Sequence, residues 1–74
     1  MTFNVLDTFV VTADLLTHGL KRGDIGAVVQ VYSPTTVEVE FVTASGHTQA
    51  LVTLGIHQLR PVGPKELLAV RDAA

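Results

Sequence analysis

The segment from Gly19 to Phe41, GLKRGDIGAVVQVYSPTTVEVEF, contains a loop, a glycine turn, a strand, a bend and a second strand in immediate succession. Thr36-Val37-Glu38-Val39-Glu40-Phe41-Val42 alternates apolar and charged residues with period two, the signature of a strand with one dry and one wet face. Ala27-Val28-Val29-Gln30-Val31-Tyr32 is rich in β-branched residues and reads as its partner strand. Between them Ser33-Pro34-Thr35 makes the bend, since proline cannot donate to a sheet ladder. Upstream, Gly23-Asp24 and Gly26 are turn signals, with glycine free to take φ > 0.

Outward from this segment the pattern continues. Thr43-Ala44-Ser45-Gly46 is a turn, His47 to Leu54 is a fourth strand, Gly55 to Gln58 a single 3₁₀ turn, and Leu59 to Val62 a short fifth strand at an edge. On the N-terminal side, Met1 to Asn4 is a lead-in. Val5 to Thr12 is the first strand, apolar on both faces and hence substantially buried. Ala13 to Gly26 is a long loop whose Leu15, Leu16 and Leu20 cap one end of the fold. Pro64 can open a short helix over Lys65 to Asp72, because proline is tolerated at a first helical position. Leu67, Val70 and Ala74 would share one face of it, and a helix this short must dock or fray.

Pairing Val42 with His47 sets Val39 opposite Ala50 and Val37 opposite Val52. Pairing Tyr32 with Thr36 sets Val31 opposite Val37 and Val29 opposite Val39. The expected core face is then Val29, Val31, Val37, Val39, Phe41, Ala50 and Val52, and a one-residue slip would destroy it. The opposite face mixes Val28, Gln30, Tyr32, Glu38, Glu40, Val42, His47, Gln49 and Leu51. Five short strands, a long first loop and a short turn before the last strand predict an all-β fold. The expected architecture is a small five-stranded SH3-like barrel over residues 1–62, with a short C-terminal helical tail over 63–74.

The chain has 74 residues, 47% of them apolar, and no cysteine. One domain is all this length allows, and neither disulfides nor cysteine-based metal sites are available to it. Seven acidic and five basic residues give a net charge of −2. Apart from Lys21-Arg22 the cations are dispersed, so there is no basic stripe to track phosphates. No apolar run reaches the roughly 20 residues of a membrane helix. MTFNVLD lacks the basic-then-apolar pattern of a signal peptide, and the expected location is the cytoplasm.

Leu6-Asp7, Leu20-Lys21-Arg22-Gly23-Asp24-Ile25-Gly26-Ala27-Val28-Val29, Val37-Glu38-Val39-Glu40-Phe41, Gly46-His47-Thr48 and Leu51-Val52-Thr53-Leu54, closing at Gln58-Leu59, resemble a family of short bacterial proteins. That family is catalogued as domain of unknown function 4926. The resemblance runs from about Leu6 to Leu59. It implies a small barrel and carries over no catalytic residue. The chain departs from the family pattern at Leu16-Thr17, where a proline–acid pair is usual, and in its continuation past Pro61. Gly23 to Val28 also resembles the KOW element of ribosomal and transcription factors, a glycine turn entering a barrel strand.

No catalytic set, cofactor site or metal site is expected. His18, His47 and His57 sit in different loops or strand ends, whereas zinc ligands must converge. Glu38 and Glu40 lie about 7 Å apart on one strand face, a glycosidase-like spacing without a cleft; solvation of an exposed face accounts for them. Arg22-Gly23-Asp24 spells an integrin-type tripeptide whose glycine is explained by the turn. No nucleophile elbow, phosphate loop or dinucleotide fingerprint is present.

The expected function is therefore that of a non-catalytic protein-binding or accessory module: antitoxin-like, immunity-like or a small subunit of an assembly. Its candidate partner-binding residues are Val28, Gln30, Tyr32, Glu38, Glu40, Gln49 and Leu51. The alternative is weak nucleic-acid binding through Lys21 and Arg22. The apolar surplus, including Val10, Val28, Tyr32, Val42, Leu51, Leu67, Leu68 and Val70, predicts a homodimer unless the tail covers it.

Overall fold

In the computed structural model, which describes residues 3–73, five antiparallel strands form one sheet. They are β1 (Thr8–Val11), β2 (Ile25–Ser33), β3 (Thr36–Val42), β4 (Thr48–Gly55) and β5 (Leu59–Pro61), in the spatial order β4-β3-β2-β1-β5. Short 3₁₀ turns occupy Leu16–His18 and Ile56–Gln58. Met1, Thr2 and Ala74 lie outside the described residues, and with them the start of the lead-in and the last position of the expected helical face.

β3 spans the residues its alternation predicts. Val37, Val39 and Phe41 are buried, while Glu38 and Glu40 are half-buried on the other face. The two hairpins that flank β3 depart from the expected register in different ways. Across β3–β4, Val37 faces Leu54, Val39 faces Val52 and Phe41 faces Ala50. That is two residues from the expected pairing. The turn closes with Thr43 N–H donating to His47 O at 2.8 Å rather than at Val42, and a register shift after Phe41 adds the second residue. Because the displacement is even, the faces survive, and Val52 and Ala50 still point inward.

Across β2–β3, Val31 faces Val37 as expected. A register shift between Val28 and Gln30 then leaves Val29 as the extra residue of a bulge, so Val28 rather than Val29 faces Val39. An odd displacement exchanges faces. Upstream of the bulge Val28 is wholly buried and Val29 half-buried; Val31 keeps its place opposite Val37 but is 39% exposed. The expected core thus gains Val28 and loses Val29 and Val31.

Other core residues come from outside the alternating segment. Phe3 was expected only in a lead-in, yet it is buried with its ring 5.1 Å from that of Phe9, tilted by 57°. Phe9, Val10 and Val11 of β1 are all buried, as the two-faced apolar pattern predicts. β1 begins at Thr8, not Val5, because Leu6 takes φ 75° in a turn where Asp7 N–H donates to Asn4 O. In the long loop, Leu20 is buried and Leu15 packs against the core, whereas Leu16 is 76% exposed. Both edge strands contribute to one apolar cluster, β4 through Val52 and Leu54 and β5 through Leu59. No pairing joins β4 to β5, so the sheet is not closed by backbone hydrogen bonds.

Among the described residues, the C-terminal segment carries no helix. After Pro61 it makes a turn at Pro64–Lys65 and otherwise has no regular structure through residue 73. A helix this short is unstable without tertiary support. Its would-be first turn is also committed elsewhere: Glu66 accepts from Gly63 N–H at 2.6 Å and reaches back to Arg60.

Candidate protein-binding face

The outward face of β2, β3 and β4 is built around two carboxylates. β3 places Glu38 and Glu40 on this side because Val37, Val39 and Phe41 take the other. Their cross-strand neighbours are Gln30 and Thr53 for Glu38, and Ala27 and Leu51 for Glu40. Each carboxylate is held by a hydroxyl. Tyr32 Oη donates to Glu38 Oε2 at 3.0 Å, and Thr48 Oγ1 donates to Glu40 Oε2 at 2.7 Å. The bond to Glu38 pushes the Tyr32 phenol above its ordinary pKa, since ionisation would forfeit the donated proton.

Apolar surface surrounds the carboxylates. Tyr32, Val42 and Leu51 are each more than half exposed, at 53%, 58% and 53%. Of the seven residues predicted for partner binding, five share this face: Gln30, Tyr32, Glu38, Glu40 and Leu51. Val28 does not, because the bulge turns it into the core. Gln49 sits at the register shift of β4, where its side-chain amide lies beside Gly19 rather than among the glutamates.

Among the described residues, no group of three His, Cys, Asp or Glu side chains is placed to hold a metal ion. His18, His47 and His57 stand in the first 3₁₀ turn, the β3–β4 loop and the second 3₁₀ turn. No helix of the described residues is long and apolar enough to cross a membrane. Of the five cations, Arg60 forks onto Glu66 with contacts of 2.6 and 2.7 Å, and Arg71 pairs with Asp24. Lys21 and Arg22 lie exposed in the loop before β2.

A second assembly has no counterpart in the sequence reading. Asp24, the acid of the Arg22-Gly23-Asp24 tripeptide, is the hub of the loop between the first 3₁₀ turn and β2. Its Oδ2 accepts from Lys21 N–H at 2.8 Å, and its carboxylate receives the Arg71 guanidinium from 47 residues away. Arg71 holds the Asp24 carboxyl below its ordinary pKa; burial works against this, and the Lys21 N–H works with it. An ion pair across such a separation leaves no local pattern of the kind that marks strands and turns.

No curated protein and no solved structure matches the chain. The family model described as domain of unknown function DUF4926 matches residues 5–61, which hold all five strands and both 3₁₀ turns. The match ends where β5 ends, leaving out the segment that carries Glu66 and Arg71. By that match, the chain belongs to the family of domain of unknown function 4926.

Proposed function

We propose that this chain is a non-catalytic protein-binding module, an accessory protein or a small subunit of an assembly. Its working surface is the outward face formed by Gln30, Tyr32, Glu38, Glu40 and Leu51. In this reading the sheet is curled into an SH3-like barrel. Support comes from the single apolar cluster shared by edge strands β4 and β5, and from β1 lying between β2 and β5.

The observation that carries the reading is the exposure of Tyr32, Val42 and Leu51 around two tethered carboxylates. An aromatic and two aliphatic side chains beside fixed acceptors form a surface that gains by covering. A partner would bury the apolar residues and offer donors to Glu38 and Glu40. The simplest such partner is a second copy, because a two-fold contact covers the patch on both molecules at once.

The test pairs affinity capture from the native host with sedimentation at tens of micromolar, a range suited to micromolar affinities. Leu51→Arg and Tyr32→Ala alter exposed side chains, so the fold should survive. Both should release a stoichiometric partner that the unaltered protein retains, and Leu51→Arg should turn a dimer into a monomer. A monomeric unaltered protein would remove self-association from the reading. Failure to retain any stoichiometric partner in addition would remove the module reading itself.

A further inference from the structure

The segment after Pro61 returns across the molecule, and a groove of about 540 Å³ lies between it and the loop before β2. Leu20, Ile25, Phe41, Val42 and Gln49 line the groove on the sheet side, and residues 69–73 form its other wall. One side chain does the fastening. Arg71 Nε donates to Asp24 Oδ1 at 2.7 Å, while Nη2 donates both to Asp24 Oδ2 and to Gly19 O at 3.1 Å. The receptor is shaped for a planar fork. The Asp24 side chain is only 17% exposed, its Oδ2 is fixed by Lys21 N–H, and Asp24 N–H closes a turn onto Lys21 O at 2.9 Å.

The apolar part of the groove is not used by the segment that covers it. Leu67 is 94% exposed and stands outside, and Val70, although it borders the groove, is 97% exposed and packs on nothing, while Ile25 and Val42 remain 37% and 58% exposed within it. The chain's own C-terminal segment therefore satisfies the charge of the site and leaves its hydrophobic wall open. We propose that the Gly19–Asp24 loop is a guanidinium socket for an extended, arginine-bearing peptide segment of a partner protein, and that Arg71 fills it as a displaceable internal ligand. A partner segment that seats an apolar side chain against Ile25 and Val42 as well would outcompete Arg71 by making the contacts the tail does not. This site adjoins the carboxylate face of β3 and shares only Val42 with the residues described there.

The test uses the full chain and a synthetic peptide of residues 64–74 as an arginine-bearing probe. With Arg71→Ala in the chain, the socket is vacated, and the free peptide should bind about tenfold or more tighter than it binds the unaltered protein, because the competent fraction rises. A peptide with Arg71→Lys should bind more weakly, having lost the fork, and one with Arg71→Ala should not bind. Asp24→Asn in the chain should abolish binding of the unaltered peptide. The peptide substitutions leave the protein untouched, so loss of folding cannot imitate their effect. Equal binding by the unaltered and Arg71→Ala chains, or binding indifferent to the peptide's arginine, would overturn the proposal.

Discussion

Gly26 and Gly23 are needed for opposite reasons. A Cβ on Gly26 would lie 2.5 Å from Val39 Cγ1 and 2.7 Å from Phe41 Cε1, inside the core where neither neighbour can yield freely. Gly23 has open space around it but takes φ 95°, which an L side chain resists. Gly26→Ala should therefore cost about 1–3 kcal/mol through overpacking, and Gly23→Ala about 1–2 kcal/mol through backbone strain. Urea unfolding at neutral pH measures both. Combining Gly26→Ala with Val39→Ala should recover part of the first loss and none of the second, since only the first is a matter of volume. The turn expected from Gly23-Asp24 and Gly26 is found at Gly23 but not at Gly26, which lies inside β2 without a positive φ. The collision at Gly26 needs the β2–β3 pairing, and so lies beyond any local reading.

At the level of single elements, β3 was readable because its alternation is unbroken and both of its faces are used. β2 was readable as a strand but not in its facing. Val28, Val29 and Val31 are chemically alike, and a bulge among three valines leaves no mark in composition. That one extra residue removed Val28 from the expected binding face, while Tyr32 and Gln30 stayed outside. Val28→Thr should bury a hydroxyl without a partner and cost about 1–3 kcal/mol, whereas Val31→Thr should stay within about 0.5 kcal/mol. Equal effects in thermal unfolding would contradict the bulge. The C-terminal segment is the reverse case. Its helical spacing was visible, but so short a helix has no stability of its own, and Glu66 and Arg71 are drawn to Arg60 and Asp24 instead.

Across the whole molecule, two carboxylates tie that segment down, and both are acidified by the cations they meet. The forked bond from Arg60 holds Glu66 at about 2, aided by Gly63 N–H, and Arg71 holds Asp24 below its usual range. A carboxyl depressed in the folded state contributes stability above its unfolded pKa and loses it as pH falls through the folded value. The attachment around Glu66 should thus persist from neutral pH down past about 4, near the ordinary carboxylate value, and fail as pH approaches 2. Amide NMR signals of Leu67 and Leu68, followed against that of Val39 in β3, would report it. Release centred on the ordinary carboxylate range would contradict the Arg60–Glu66 geometry. The arrangement of β1 has a consequence for the order of assembly. The hairpins β2–β3 and β3–β4 join neighbours in the chain, but β1 is completed by β5, pairing Val11 with Leu59. On the ribosome the first strand to emerge must wait for almost the last residues of the sheet. Until then its outer edge, with Phe9 and Val11 behind it, stays unpaired, and the nascent chain is most open to wrong partners in that interval.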